Sequence, residues 1–266
     1  MPSFPSKINF AVLSFITAMS LIQALVIPIS SSHSLKSAVI KDNKASFLDK
    51  YVSESDYQKV AKQVLEKRDE DGIIVSCTVP NTLAITFDDG PFEYTEALLD
   101  FLKEEDAKVT FFLNGNSGGD VYEYSSAVKR AYEEGHQIGL HTWSHADLTR
   151  LSDSGIEEEM SRIDDAVKEI IGVRAVYMRP PFGYVNKKSK KYLFENGYKI
   201  VNWSIDTNDW RHPGNVQASM KVYRSALSRT DARKGGYIVL QHDTIESTAQ
   251  VLAPAAVKYA KENGFK

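Results

Sequence analysis

The chain has 266 residues, of which 42% are hydrophobic and 25% are charged, an ordinary globular composition with enough length to bury one sizeable core. Its formal net charge of -3 provides no basic field of the kind that binds nucleic acid or an anionic membrane surface. We therefore expect one main domain, no nucleic-acid partner and no charge barrier against a neutral substrate.

The first thirty residues differ from the rest of the chain. Lys7 is followed by an almost charge-free apolar run from Ile8 to Ile29 and then by three serines. A basic residue before an apolar run predicts a secretory signal peptide at residues 1–30. Because the run is long and no small-x-small cleavage site stands out, an uncleaved membrane anchor is the alternative. Either interpretation predicts a protein that is secreted or held at the cell wall or cell surface.

Residues 31–78 form the next region, which is interpreted as a polar leader or stalk. Within it, Lys59–Arg68 is helix-prone but carries no strong apolar stripe. Cys77 is the only cysteine, so the chain alone forms no intramolecular disulfide, and the extracellular location rests on the N-terminal segment. The main domain is expected over residues 79–266.

From Gly72 onward, short β-rich runs alternate with helical ones. The predicted elements, in chain order, are strand Leu83–Phe87, helix Thr95–Glu105, strand Val109–Leu113, helix Ser125–Gly135, strand Gln137–Leu140, helix Asp153–Ile171, strand Ala175–Met178, helix Lys187–Asn196, strand Ile200–Trp203, helix Val216–Ser228, strand Tyr237–Gln241 and helix Ala249–Asn263. Such alternation predicts parallel strands covered by helices, as an open sheet or a barrel. In these folds functional sites lie at the carboxyl ends of the strands.

Polar side chains follow five of these strands. They are Asp88 and Asp89, His141, Arg179, Asp206 and Asp209, and His242. A polar residue after any single strand is more often part of an ordinary turn. The five strand ends together converge on one rim and predict a functional site there.

Two histidines stand four residues apart in His141-Thr-Trp-Ser-His145. This spacing lets both imidazoles reach one ion if the backbone turns helically after the strand. A carboxylate from Asp88-Asp89 completes a two-histidine, one-carboxylate set with open coordination positions, which favours catalysis over a structural role. The neighbouring carboxylate can then take a proton from the attacking water. A simple Asp-Asp-Gly-Pro turn would leave the histidines unexplained.

Five motifs occur in a fixed order along the chain. They are Thr86-Phe-Asp-Asp-Gly-Pro91, His141-Thr-Trp-Ser-His145, Arg179-Pro-Pro-Phe-Gly183, Asp206-Thr-Asn-Asp-Trp210 and Leu240-Gln-His242. In sequence and order they resemble the motifs of the polysaccharide deacetylases, also called NodB-homology domains or carbohydrate esterase family four. The resemblance runs from about Val79 to the C-terminus. It implies an α/β fold, a distorted (β/α) barrel with fewer than eight strands.

The same resemblance implies one divalent metal ion, Zn²⁺ or alternatively Co²⁺, held by Asp89, His141 and His145. It implies that Asp88 is the general base that deprotonates the attacking water. The backbone N–H of Phe182 is expected to stabilise the tetrahedral oxyanion together with the ion. The family usually has Tyr where Phe182 stands, but a backbone donor survives that exchange.

On the other side of the site, His242 matches the family's general acid, which protonates the departing amine. Arg179 is expected to hold Asp88 as an ion pair. Asp209 is expected to orient the Arg179 and His242 side of the site, whereas Asp206 is interpreted as structural.

Leu240 and Trp210 are expected to form an apolar pocket for the acetyl methyl group, with Trp210 also facing a sugar ring. Ser76-Cys-Thr-Val-Pro-Asn-Thr82 and Phe111-Phe-Leu-Asn-Gly115 look most like fungal chitin deacetylases. We therefore expect a monomer without a protein partner that removes N-acetyl groups from the N-acetylglucosamine residues of chitin or its oligomers. The alternatives are an O-acetyl xylan esterase, a peptidoglycan deacetylase and a secreted carbohydrate-binding protein without catalysis.

Three further signals concern structure. His136 and His212 are interpreted as surface or loop histidines, and Asn202-Trp-Ser204 fits a glycosylation sequon but lies on a predicted strand. The chain stops at Gly264-Phe-Lys266, whereas the fungal deacetylases it resembles usually continue into another strand and a cysteine. We therefore expect the last helix, Ala249–Asn263, to fray first and the domain to be less stable than relatives that keep a disulfide.

Overall fold

The computed structural model describes residues 72–228 and 236–266. The predicted signal or anchor segment, most of the leader and the predicted helix Lys59–Arg68 lie outside the described residues. Within the two described ranges, no helix combines the length and apolar character that a membrane span requires.

Seven strands form one sheet in the order β5-β4-β3-β2-β1-β7-β6. The strands are β1 Leu83–Asp88, β2 Thr110–Leu113, β3 Gln137–Leu140, β4 Tyr177–Met178, β5 Lys199–Ile200, β6 Ile205–Asp206 and β7 Tyr237–His242. Every pairing is parallel, as the alternation of strands and helices predicted. β1 lies between β2 and β7, so its carboxyl end is flanked by the ends of both neighbours.

Helices follow most of the strands in the described ranges. They are α1 Thr95–Glu104, α2 Ser125–Glu133, α3 Asp153–Ile171, α4 Lys187–Glu195, α5 Val216–Leu227 and α6 Ala253–Glu262, with a 3₁₀ turn at Pro181–Gly183 and a π-helical turn at Thr248–Leu252. The predicted last helix, Ala249–Asn263, is therefore divided between the π-helical turn and α6.

Local capping signals fix the helix boundaries that the sequence predicted best. The side chain of Ser152 accepts a hydrogen bond from the Gly155 N–H at the start of α3, and Gly172 ends that helix with φ of +78°, a conformation that glycine adopts at little cost. Asn186 and Ser189 form a reciprocal capping box at the start of α4.

The sheet separates two apolar clusters because successive residues of a strand point to opposite faces. Phe111 belongs to the large cluster that includes the buried helix residues. Phe112, with Ile238 and Val201, belongs to a small cluster on the other face. Ala84 of β1 packs against this small cluster, so the side chains of residues 86 and 88, two and four positions further on, lie on the same face. The polar end of β1 therefore faces away from the helices.

Residues 73–77, which the sequence assigned to the leader, belong to the fold. The Ile74 N–H donates to Ile200 O at 2.9 Å, and the Asn202 N–H donates to Ile74 O at 2.8 Å. Further along, the Cys77 N–H donates to Gly236 O at 3.2 Å, next to the start of β7. This segment thus bonds at β5 and at β7, on opposite sides of the sheet. A curled seven-stranded sheet of this kind confirms the distorted barrel with fewer than eight strands.

The end of the chain is anchored to the sheet. Phe265 is buried. The Lys266 N–H donates to Asn81 O at 2.8 Å, and the Leu83 N–H donates to Lys266 O at 2.9 Å. The last helix was expected to fray first on the ground that no following strand pins it. That ground is wrong, because the end of the chain pairs with the residues that begin β1. The comparison of stability with disulfide-bonded relatives stays a prediction.

Two more expectations change. β6 was not predicted, and the predicted strand Ile200–Trp203 is instead the short β5 followed by a connection. In that connection Asn202 is half-buried and donates from Nδ2 to Gly183 O at 3.2 Å, so its amide has an internal role.

His136 is buried rather than on the surface and accepts from the Val109 N–H at 3.2 Å. Burial lowers its pKa to about 4. His212 is exposed, as expected.

Candidate metal and acid-base site

Two consecutive carboxylates at the end of β1 face different partners. Asp88 ends the strand and is 2% exposed. Asp89 follows with φ of +73°, in the left-handed region that Asp tolerates better than most residues. This turn directs the Asp88 carboxylate toward Arg179 and the Asp89 carboxylate toward two histidines.

Asp89, His141 and His145 bring three candidate ligand atoms together. Asp89 Oδ1 lies 3.4 Å from Nε2 of His141 and 3.4 Å from Nε2 of His145. One ligand atom from each residue lies within 4.8 Å of the other two. Asp89 Oδ1 is buried and has no hydrogen-bond partner among the described residues.

The tautomer of His141 follows from its second nitrogen. Nδ1 lies 2.6 Å from Arg179 O, and because a carbonyl only accepts, Nδ1 must carry the proton. Nε2 then presents a lone pair toward Asp89. Burial lowers the pKa of His141 to about 3, so the ring is neutral near pH 7 and suited to bind a metal ion.

The spacing argument assumed that the backbone turns helically from His141 to His145. The structure shows a different conformation. Thr142 has φ of +69° and His145 has φ of +59°. These two left-handed residues reverse the chain after β3, so that the imidazole centroids lie 5.0 Å apart. The histidines therefore meet as predicted, but through a different backbone conformation.

The donor set fits a small divalent cation. The lone pairs of two imidazoles and one carboxylate oxygen without a partner are a combination that only a cation or protons can satisfy. Ligands about 2.0–2.1 Å from an ion at tetrahedral angles lie about 3.3 Å apart, close to the 3.4 Å between Asp89 Oδ1 and each Nε2. The residues present therefore suit a zinc-type site.

Arg179 holds Asp88 in a fully buried pair. Its Nη1 donates to Asp88 Oδ1 at 2.6 Å and to Thr86 Oγ1 at 2.6 Å. The guanidinium carbon lies 4.2 Å from the centroid of the Phe112 ring. Burial raises the pKa of Asp88, while the charges of Arg179 and His242 oppose this effect. A carboxylate with a raised pKa is better matched to accept a proton near neutral pH.

His242 and Asp209 form the second acid-base pair. His242 Nδ1 lies 2.9 Å from Asp209 Oδ1, and the His242 N–H donates to Asp209 Oδ2 at 2.8 Å. The Thr248 hydroxyl also donates to Asp209 Oδ2 at 2.9 Å. Burial alone lowers the pKa of His242, but the hydrogen bond and charge of Asp209 outweigh it and raise the pKa to about 9. The imidazole is therefore protonated near pH 7 and able to donate.

The three residues expected to contact the substrate lie around these groups. Phe182 has φ of +60°, is 54% exposed, and its ring centroid lies 4.7 Å from that of His145. Trp210 follows Asp209 and is 47% exposed. Leu240 is buried and lies two positions before His242, so both side chains share a face. The two aromatic side chains are open to solvent, whereas Leu240 is buried.

The structure brings all ten predicted site residues to one end of the sheet. Asp88 is in register with His242, which links the pair with Arg179 to the pair with Asp209. Asp206 accepts from the Asn208 N–H at 2.8 Å within its own turn, in agreement with a structural role.

Two residues at the same rim were missed. Asn114 follows β2, and Asp243 follows His242 at the end of β7. Asp243 Oδ2 accepts from the Thr95 hydroxyl at 2.5 Å, and a Cβ added at Gly90 would lie 2.4 Å from Asp243 Oδ1. Burial raises the pKa of Asp243 to about 7. Both residues carry the signal used for the other strand ends, a polar side chain directly after an apolar strand.

Comparisons with known proteins agree with this geometry. The model of the family described as Polysaccharide deacetylase matches residues 76–201. The solved structure of the chitin deacetylase from the fungal pathogen Colletotrichum lindemuthianum is similar with a TM-score of 0.71 and 32% identity, over 74% of this chain and 88% of that chain. This chain therefore belongs to the polysaccharide deacetylase family.

Two curated relatives extend the comparison. A chitin deacetylase from Pestalotiopsis sp is 43% identical over 194 residues, which cover 73% of this chain and 63% of the relative. A peptidoglycan-N-acetylglucosamine deacetylase from Bacillus cereus is 35% identical over 188 residues, which cover 68% of this chain and 66% of the relative. The chain thus spans less than two thirds of the length of each.

Proposed function

We propose that this protein is a metal-dependent deacetylase that hydrolyses N-acetyl groups on the N-acetylglucosamine residues of chitin or its oligomers, releasing acetate and leaving chitosan. One observation carries the proposal. The candidate metal ligands Asp89, His141 and His145 lie beside Asp88, a buried carboxylate, and His242, an imidazole whose pKa is raised to about 9 by Asp209. A base, an acid and a cation site together are what hydrolysis of an amide requires.

The chemistry of the cation is that of a Lewis acid: when bound, a divalent ion, for which we propose Zn²⁺ with Co²⁺ as the alternative, polarises a carbonyl and lowers the pKa of water. Asp88 accepts the proton of the attacking water. Arg179 and Thr86 keep that carboxylate in one orientation through the two 2.6 Å bonds at Nη1. The backbone N–H of Phe182 is proposed to stabilise the oxyanion that forms.

The acid supports an amide rather than an ester substrate. When an amide is hydrolysed, the leaving nitrogen must be protonated before it departs as an amine. When an acetyl ester is hydrolysed, the leaving oxygen depends less on a proton because an alkoxide is a better leaving group. His242 has a pKa of about 9 because Asp209 outweighs the effect of burial, so it carries the required proton near neutral pH. This argument favours N-deacetylation over the esterase alternative.

The rim supports binding of a neutral sugar chain. Trp210, Phe182 and Tyr184 are 47%, 54% and 59% exposed, and exposed aromatic faces suit the apolar faces of sugar rings. Leu240, buried on the same face as His242, is proposed to line the pocket for the acetyl methyl group. The relatives named chitin deacetylase support chitin, and the Bacillus cereus relative makes peptidoglycan the second candidate. The apolar run of residues 8–29 supports action outside the cytoplasm.

The proposal is tested by acetate release from chitin oligomers, peptidoglycan and acetylated xylan at equal acetyl concentration. We expect the highest kcat/KM on chitin oligomers and a loss of activity in His145→Ala. Preference for xylan would show that the reaction is ester hydrolysis. Absence of acetate release from all three substrates would leave only the carbohydrate-binding alternative and would overturn the proposal.

A further inference from the structure

Asn114 lies between the two segments that carry the candidate metal ligands. It follows β2 directly, and β2 lies between β1, which leads to Asp89, and β3, which leads to His141. The side chain is 1% exposed. A buried amide must find partners for its two N–H groups.

The hydrogen bonds of Asn114 reach both segments. Its backbone N–H donates to the carbonyl of Gly90, the residue after Asp89, at 2.9 Å. Its side-chain Nδ2 donates to the carbonyls of His141 at 2.5 Å and Thr142 at 3.0 Å. One residue is thus bonded to the turn that holds the carboxylate and to the loop that holds both imidazoles.

These contacts act on backbone that needs support. Asp89, Thr142 and His145 all have positive φ, a conformation that costs non-glycine residues free energy unless the surroundings hold it. The Nδ2 bonds of Asn114 satisfy the two carbonyls at the start of the loop. Without them, the buried His141 carbonyl would lose the Nδ2 donor, and the Thr142 carbonyl would keep only the longer 3.4 Å bond from the Gly115 N–H.

We propose that Asn114 is a positioning residue that sets the separation between the Asp89 carboxylate and the two imidazoles, and thereby the affinity of the site for a divalent ion. The inference rests on the proposed metal site. Groups that orient metal ligands through hydrogen bonds typically change metal affinity by about 10–100-fold when they are removed. Asn114 acts on the backbone of a ligand rather than on its ring.

The test uses two substitutions of different character. Both variants keep the backbone N–H that donates to Gly90. Asn114→Asp preserves the size of the side chain but places a carboxylate oxygen against two carbonyls. Asn114→Leu removes the side-chain N–H donors altogether. We expect both to lower the affinity for Zn²⁺ and Co²⁺ by about tenfold or more, measured with the metal alone by competition against a chromophoric chelator. The Co²⁺ absorption spectrum should also shift, because ligand separation changes.

Gln241→Leu supplies the matched control. Gln241 is a fully buried amide on β7 whose Oε1 accepts from the Tyr223 hydroxyl at 2.9 Å, on the face opposite to His242. Its replacement should lower the urea midpoint of unfolding while metal affinity and the Co²⁺ spectrum stay unchanged.

The outcomes separate this inference from the proposed function. If the unsubstituted protein binds neither ion, the proposed metal site fails and the inference fails with it. If the unsubstituted protein binds and Asn114→Asp binds within twofold with the same Co²⁺ spectrum, the inference alone is overturned. Equal loss of affinity in Gln241→Leu would also overturn it, since affinity would then follow stability. Failure of both Asn114 variants to fold where Gln241→Leu folds would contradict a local role for Asn114.

Discussion

The charge pair of Arg179 and Asp88 is the most consequential buried interaction at the site. The two side chains are 0% and 3% exposed, and Nη1 and Oδ1 lie 2.6 Å apart. Arg179→Met keeps an apolar side chain over the Phe112 ring but removes the cation. The Asp88 carboxylate would then stay buried without its counter-charge. The Thr86 hydroxyl would lose the Arg179 donor but keep its own bond to Val239 O at 2.6 Å.

The expected magnitude follows from the depth of the pair. Removing one partner of a buried ion pair costs about 3–5 kcal/mol of unfolding free energy, because the other charge is left uncompensated. Arg179→Met and Asp88→Asn should each fall in this range. The double variant leaves neither charge alone, so its loss should be smaller than the sum by a coupling free energy of about 2–3 kcal/mol.

The loss in Arg179→Met should depend on pH. Burial raises the pKa of Asp88 above its usual 3.8 and Arg179 opposes this, so removing Arg179 raises it further. The native state then holds the proton more tightly than the unfolded state does, and stability falls as pH rises from the unfolded value through the folded pKa. The deficit should therefore be larger near pH 7 than near pH 4.

Urea unfolding of the four proteins in excess chelator measures these quantities without a contribution from metal binding. Arg150→Met is the matched control, because the Arg150 side chain is 84% exposed and lies 3.1 Å from Asp147; no measurable loss is expected there. Additive losses in the double variant, or a loss in Arg179→Met no larger than in Arg150→Met, would refute the reasoning.

Three further predictions concern the acid and the packing. Asp209→Asn should move the alkaline limb of the kcat/KM profile to lower pH, since Asp209 raises the pKa of His242 to about 9 against the effect of burial; an unmoved limb would contradict this. His242→Ala should lower turnover about a hundredfold or more with metal affinity unchanged, and near-normal amide hydrolysis would count against the assigned acid. Gly139→Ala would place Cβ 2.6 Å from the Phe112 ring and should cost about 1–3 kcal/mol of unfolding free energy; an unchanged urea midpoint would show that the ring yields.

The sequence predicts those parts of the fold whose signals are local. α3 has the predicted bounds, Asp153–Ile171, because Ser152 and Gly172 supply both caps within the sequence itself. β6 was missed because Ile205–Asp206 is only two residues long and has no periodicity to read. Its strand character comes from pairing with Val239 and Leu240 of β7, residues that are distant in sequence.

The segment around Ile74 and the last residue of the sequence illustrate the same limit. Ile74 pairs with the end of β5 and Lys266 pairs with the start of β1. Both pairings use only backbone N–H and C=O groups, so no pattern of side chains in the sequence predicts them. Without knowledge of these backbone pairings, the sequence suggested a leader that ends at residue 78 and a last helix that frays.

The site was more predictable than its support. The ligands and acid-base groups have reactive side chains in ordered motifs, and the structure groups them as expected. Asn114 carries the strand-end signal of a polar residue after an apolar strand, but its supporting role depends on which carbonyls lie within reach of Nδ2, and the sequence does not show that. The spacing of His141 and His145 does not distinguish a helical turn from a loop with left-handed backbone conformations, so it did not predict the loop that the structure shows.

Metal dependence of acetate release tests the central claim most directly. The protein is stripped with a chelator, titrated with Zn²⁺ and assayed on an N-acetylglucosamine oligomer, with His145→Ala treated in parallel. We expect activity to vanish on chelation, to return in proportion to added ion until one equivalent is bound, and to stay absent in His145→Ala. Full activity after exhaustive chelation, or full activity in His145→Ala, would contradict the role assigned to Asp89, His141 and His145.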